Sequence, residues 1–263
     1  MHKTRRYRDL FLILLIPMLS QASHPPHHPK IHSHNDYWQS VPFYQAYAQQ
    51  VSSIEADIFH QDGLLLVGHD LEDLDSAYTL KKLYLDPIVE QFIKNGGRVW
   101  PDSEQTLILM IDIKSPTEPA LSCIIGILHE HRPVFDTSLD PNAIRVVITG
   151  NVPKPEDFDN YPPTIFFDGT LDHPYSPDQL ERIAMISLPF YKYTRWKGEG
   201  AMNESEKRAV QQAIDQAHEM NKPIRFWASP DNETAWNTLH QMGVDFINTD
   251  NVERCTEFFR KQR

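Results

Sequence analysis

The sequence predicts an α/β fold, a single (β/α)8 TIM barrel with a short hairpin insertion after the second strand, and two observations predict it. Apolar runs of strand length alternate with helical patterns along 263 residues, with no internal repeat or low-complexity tract. Setting aside one hairpin return leaves eight such runs, the number a closed β/α barrel needs. Hydrophobic residues make up 40% of the chain, enough for one large core, so a single barrel accounts for nearly all of it.

Residues 1–22 read as a cleaved signal peptide. Lys3, Arg5, Arg6 and Arg8 form a basic start, Leu10 to Leu19 an apolar run, and Ser20 and Ala22 the small residues at a cleavage site. The run is short for a bilayer span and contains Pro17, so a secreted or periplasmic protein is expected. Residues 23–30, SHPPHHPK, read as a Pro/His-rich linker, and the barrel is expected over 31–263.

The strand-like runs are Lys30 to Ser33, Ser53 to Phe59, Leu64 to Gly68, Leu107 to Lys114, Ala143 to Thr149, Thr164 to Asp168, Ile183 to Pro189, Ile224 to Ala228 and Phe246 to Asn248. Asp62-Gly63 marks a tight turn, which makes Leu64 to Gly68 the hairpin return. Between strands, Asp86-Pro87 reads as an N-cap and first helical residue, followed by the stripe Ile88, Phe92, Ile93 and a stop at Gly96. Ser176-Pro177 opens another helix, and Glu204 to Met220 is a long one stopped by Pro223. Asp231 is expected to begin a helix through Trp236 and Leu239, and Asp250 to cap the last, NVERCTEFF.

The net charge is −11, and it becomes −14 once residues 1–22, with four basic side chains and one acidic, are removed. Such a chain excludes nucleic acid as a partner and disfavours stable attachment to anionic membranes, leaving only transient contact with a membrane surface. Cys123 and Cys255 lie far apart in helical stretches and are expected to be free thiols.

Three pairs of polar residues at i, i+2 spacing carry the chemistry. They are His32 and His34 in KIHSHNDY, Glu55 and Asp57 in SIEADIF, and Asp112 and Lys114 in LILMIDIKS, with His69 in LLLVGHD between the last two. In a strand, residues two apart share a face, so each pair projects together while Ile54, Ala56 and Ile58, or Leu109, Ile111 and Ile113, cover the other. A sheet covered on both faces would bury Glu55 beside Asp57, and a divalent cation relieves that repulsion. Oxygen ligands favour Mg²⁺ or Ca²⁺ over zinc. The plainer alternative is a half-exposed strand with solvated acids.

The order of H-x-H, E-x-D, hairpin, H-D and D-I-K resembles the phospholipase C-like phosphodiesterases, which include glycerophosphodiester phosphodiesterases and sphingomyelinase D toxins. HNDY, SIEADIF, LLVGHD and TLKKLYLDP are most similar to the branch named for altered mitochondrial inheritance. The resemblance runs from His32 to Asp250. It implies that Glu55, Asp57 and Asp112 hold one divalent cation, that Lys114 holds phosphate, and that His34 and His69 are the acid/base pair. Trp227 in IRFWASPDN would border the substrate pocket. Glycerophosphodiesterases begin H-R-G; here Asn35 follows His34, so the resemblance implies a neutral hydrogen bond where they have a cation. HNDY favours His34 over His32, which is expected lower in the barrel as a supporting histidine. The implied function is an exported, metal-dependent phosphoric diester hydrolase, a monomer acting on a small-molecule or lipid phosphodiester.

Two rivals are distinguishable. A zinc-dependent amidohydrolase-like enzyme would use His32 and His34 as ligands and needs histidines at later strand ends, which FFDGT and SLPFYK lack. A barrel-fold binding protein would keep the architecture without turnover.

Overall fold

A computed structural model of the protein describes residues 29–101 and 103–262. The expected signal peptide and all but the last two residues of the expected linker lie outside the described residues. Among the described residues nine strands form one sheet: β1 (Lys30–Ser33), β2 (Ser53–Gln61), β3 (Leu64–Val67), β4 (Ile108–Ile113), β5 (Arg145–Gly150), β6 (Ile165–Gly169), β7 (Ile183–Pro189), β8 (Ile224–Trp227) and β9 (Phe246–Thr249). Apart from β3, neighbours are parallel, and β1 pairs with both β9 and β2, so eight strands close into a barrel. The helices between them are α1 (Tyr44–Ala48), α2 (Asp86–Lys94), α3 (Thr117–Glu130), α4 (Arg132–Phe135), α5 (Pro177–Arg182), α6 (Glu204–Glu219), α7 (Glu233–Gln241) and α8 (Val252–Arg260).

Strand alternation divides the core in two. Ile54, Ala56 and Ile58 of β2 and Leu109, Ile111 and Ile113 of β4 face outward, essentially without exposure, into one continuous cluster with the helices. Each large side chain so buried contributes roughly 1.5–3 kcal/mol. A smaller cluster of Met110, Val147, Ala184, Met185 and Phe246 fills the barrel interior. Two residues further along the strands, the inward positions turn polar: Asp112 follows Met110, Thr149 follows Val147, Ser187 follows Met185 and Asn248 follows Phe246. The barrel is therefore plugged with hydrocarbon below and lined with charge toward the C-terminal strand ends.

The predicted hairpin is present. Asp62 and Gly63 both take positive φ, 50° and 79°, the pattern of a type I′ turn, and β3 pairs antiparallel with β2 from Gln61↔Leu64 to Ile58↔Val67. The return ends with Gly68 N–H donating to the Asp57 carbonyl, which delivers His69 beside that strand end.

Some helix boundaries differ from the sequence reading. Asp86 is not an N-cap: a π-helical turn at Lys81–Leu85 runs straight into α2, because Leu80, Tyr84 and Leu85 extend the buried stripe upstream. Helix α7 is capped by Asn232, whose side chain accepts from Ala235 N–H, while Asp231 accepts from the Trp236 indole. The connection from β5 to β6 holds only a 3-10 turn, Pro155–Asn160, since Pro153, Pro155, Pro162 and Pro163 leave no room for a helix. Cys123 and Cys255 are free, as expected, though Cys123 is only part-buried.

Candidate active site

A cavity of about 390 Å³ opens at the C-terminal strand ends, and every predicted site residue lines it: His34, Asn35, Glu55, Asp57, His69, Asp112, Lys114 and Trp227. His32 lies below it, fully buried.

Glu55, Asp57 and Asp112 each bring a carboxylate oxygen within 4.8 Å of the others. Basic side chains already touch them. Lys114 Nζ donates to Asp112 Oδ2 at 2.7 Å and lies 3.2 Å from Asp57 Oδ2. Arg225 donates to Glu55 Oε2. His69 Nδ1 donates to Asp57 Oδ2 at 3.1 Å. Even so, Asp57 Oδ1 and Asp112 Oδ1 are buried with no hydrogen-bond partner. Burial, with Asp57 beside it, pushes the Asp112 carboxyl above its ordinary range despite Lys114. Orphaned carboxylate oxygens converging at this spacing fit a hard divalent cation. Gly150 makes the space: at φ 74°, a Cβ there would fall 1.9 Å from Asp112 Oδ1.

The histidines have different surroundings. His34 Nδ1 donates to Asp250 Oδ1 at 2.7 Å, and its Nε2 lies 4.0 Å from Glu55 Oε1. Burial opposes charging that ring, but Asp250 and Glu55 outweigh it and raise its pKa. His32 is pushed down to about 4 by burial and by Arg225, so it is a neutral strut between Ser53 Oγ at 2.9 Å and Glu55 Oε2 at 2.7 Å. The Tyr37 hydroxyl lies 3.0 Å from both Asn35 Oδ1 and Asp57 Oδ2 and shares its one proton between them, and the Asn35 amide N–H groups remain as donors. Trp227 meets Tyr191 edge to face at 5.5 Å.

Three residues escaped the sequence reading. Asp250 is not the cap of α8, whose N-cap is Asn251; it orients His34. Arg225 reads in sequence as one polar interruption of an apolar strand, yet its guanidinium contacts Glu55, donates to Ser187 Oγ at 3.1 Å and approaches Asp168 at 3.9 Å. Asp168 is the third. Burial pushes it up to about 6, against the pull of Arg225. The folded protein thus keeps a proton there that the unfolded chain releases above its ordinary 3.8. That stabilisation is complete below pH 3.8 and lost as pH rises through 6. Asp168→Asn is therefore expected to gain stability over the parent from about pH 4 to pH 7, by up to ~3 kcal/mol in urea midpoints. A difference that stays flat across that range would contradict it.

Comparison with known proteins decides the family. The AIM6-like phosphodiesterase domain matches residues 25–168, over half of the chain. The chain belongs to this family. A glycerophosphoryl diester phosphodiesterase family matches residues 223–253, the stretch carrying Arg225, Trp227 and Asp250. Among AIM6-like proteins, an altered inheritance of mitochondria protein 6 homolog from Arthroderma benhamiae is 29% identical, covering 87% of this chain and 83% of its own length. The Eremothecium gossypii protein is 28% identical over 87% and 69%, and the Saccharomyces cerevisiae protein 26% over 84% and 68%. Solved glycerophosphodiester phosphodiesterases share the fold. That of Parabacteroides distasonis aligns at TM-score 0.53 and 15% identity, covering 89% of this chain and 98% of its own. One from Agrobacterium tumefaciens aligns at 0.51 and 14%, covering 87% and 99%. The expectation of a secreted or periplasmic protein is corrected by these relatives, whose names tie them to the inheritance of mitochondria. No helix among the described residues is long and apolar enough to cross a membrane.

Proposed function

We propose that this AIM6-like protein is a metal-dependent phosphoric diester hydrolase acting on a glycerophosphodiester or phospholipid-type substrate. The observation that carries the reading is the pairing of two histidines, each held at Nδ1 by a carboxylate, with orphaned acid oxygens between them. Anchoring Nδ1 fixes the tautomer and leaves Nε2 to exchange a proton. His34, whose pKa Asp250 raises, suits protonation of the departing alkoxide. His69 then suits removal of a proton from the attacking hydroxyl.

Glu55, Asp57 and Asp112 would hold one Mg²⁺ or Ca²⁺, which supplies charge neutralisation at the phosphate oxygens when bound. Lys114 and the Asn35 amide would hold the remaining oxygens, and Trp227 would flank the alcohol half. The zinc reading loses support, because among the described residues the group of His, Cys, Asp and Glu spaced for an ion contains no histidine. His32 is also spent on Ser53 and Glu55.

Hydrolysis of glycerophosphocholine and bis(p-nitrophenyl) phosphate is expected with Mg²⁺ or Ca²⁺ and is expected to stop with EDTA. His69→Ala should cut turnover by ~10²–10⁴-fold while Mn²⁺ still binds by calorimetry. No turnover with any metal would favour a binding protein. Stoichiometric tight zinc, with activity lost in His32→Ala, would favour the amidohydrolase-like class.

A further inference from the structure

Arg195 and Lys197, in the loop after β7, and Ser229 and Asn232, in the loop after β8, line a second cavity of about 340 Å³. It adjoins the first. Trp227 lines the catalytic cavity, its neighbour Ala228 lines the second, and Tyr191 on the second wall meets Trp227 edge to face at 5.5 Å. The two loops are fixed against each other. Trp196 is buried between the two cations, with its indole donating to the Glu199 carbonyl and its N–H to Thr194 Oγ1, each at 2.9 Å, so Arg195 and Lys197 are left exposed on either side. Gly198, at φ 78°, brings this loop onto Asn232, where a Cβ would fall 2.4 Å from Asn232 Nδ2. Ala228 turns the end of β8 at φ 52°, a left-handed value that costs a residue with a Cβ about 1–3 kcal/mol.

The charge in this cavity is unbalanced. In a chain of net charge −11 a cation readily finds an acid, as Lys192 does with Asp172 at 3.3 Å. Among the described residues, the side chains of Arg195 and Lys197 form neither an ion pair nor a hydrogen bond. The acids beside them are engaged elsewhere. Asp231 accepts from the Trp236 indole at 2.8 Å and from Asp250 N–H at 3.0 Å, and Glu206 accepts from the Arg195 backbone N–H at 2.8 Å and the Asn203 amide at 2.6 Å. An ammonium group or an acyl chain would gain nothing from two unpaired cations. A carboxylate brings a single charge. A phosphate monoester, with about two charges at neutral pH and three acceptor oxygens, meets a guanidinium fork and an ammonium together.

On the phosphodiester reading above, we propose that Arg195 and Lys197 bind a second phosphate group carried by the alcohol half, so that the substrate is a phosphodiester that also bears a phosphate monoester. The test is inhibition of bis(p-nitrophenyl) phosphate hydrolysis in Mg²⁺, a reaction whose substrate has no second phosphate. Propanediol, hexanediol and octanediol bisphosphates are compared with the corresponding alkyl monophosphates on the parent, Arg195→Lys and the double variant Arg195→Gln with Lys197→Gln. At the chain length that spans the two cavities, the bisphosphate should inhibit the parent about tenfold more strongly than its monophosphate, the scale of a charge-assisted hydrogen bond. The double variant should lose that advantage with kcat/KM and monophosphate inhibition unchanged. Arg195→Lys, which keeps the charge and loses the fork, should retain part of it. No advantage in the parent at any length, or equal weakening of both inhibitors in the double variant, would overturn the proposal. Loss of binding to phosphatidylglycerol vesicles in the double variant, with the bisphosphate advantage intact, would make the pair a membrane contact and overturn it too. Absence of turnover in the parent with any metal would instead remove the phosphodiester reading, and this proposal with it.

Discussion

Replacing Arg225 by Met is expected to destabilise the protein by about 3–5 kcal/mol, the range for removing one partner of a buried ion pair. Arg225 is a cation of the barrel interior, with its side chain and that of Glu55 both 4% exposed. It contacts the Glu55 carboxylate, Ser187 Oγ and Asn248 Oδ1, and stands beside Asp168. Without it, two carboxylates at the cavity wall have too few donors, above the apolar plug of Met110, Val147 and Phe246. Arg225 is also the main reason, with His32, that Glu55 stays well below its usual range despite burial. Urea denaturation at pH 7 measures the loss. The double variant Arg225→Met with Glu55→Gln should recover a large part of it, because the stranded charge goes with its partner. A single variant within about 1 kcal/mol of the parent would contradict this account, since such a change is typical of an exposed pair.

Asp57→Asn is expected to give the largest loss of activity, ~10³-fold or more in kcat/KM on bis(p-nitrophenyl) phosphate, where electrostatic stabilisation dominates. Three side chains meet at this one carboxylate. Tyr37 hydroxyl lies 3.0 Å from Oδ2, His69 Nδ1 and Lys114 Nζ share the same oxygen, and Oδ1, buried without a partner, would face the proposed cation. The amide keeps the shape and removes the charge, so it weakens the cation site, unpins His69 and leaves Lys114 with Asp112 alone. Calorimetry with Mn²⁺ should show the matching loss of affinity, while circular dichroism remains that of the parent. Full activity in this variant would sink the proposed metal site.

Both variants act at the polar end of the barrel, yet only Asp57 was legible without coordinates. Glu55, Asp57, Asp112 and Lys114 announce themselves because two polar side chains at i, i+2 within an apolar strand commit one face to charge. The hairpin was equally legible, since Asp-Gly supplies the positive φ that the turn demands. Arg225 and Asp168 gave no such signal. Each is a single polar residue in a strand, and the partner that explains Arg225 lies 170 positions away. Asp250 was read as a helix cap because Asp before a helix is ordinarily that, and its true partner, His34, is 216 positions away.

The first pair shows the division most clearly. Sequence alone distinguished His34 from His32 by the HNDY run, and noted that no arginine follows. Closure of the barrel then set His32 at the level of Glu55 and Arg225, where burial keeps it neutral, and set His34 one layer higher against Asp250. Strand period and turn chemistry are local, and they determined the barrel, the hairpin and the carboxylate pairs. Which charge neutralises which, and which oxygen is left over for a ligand, depends on strands brought together across the ring, and that only the tertiary structure decided.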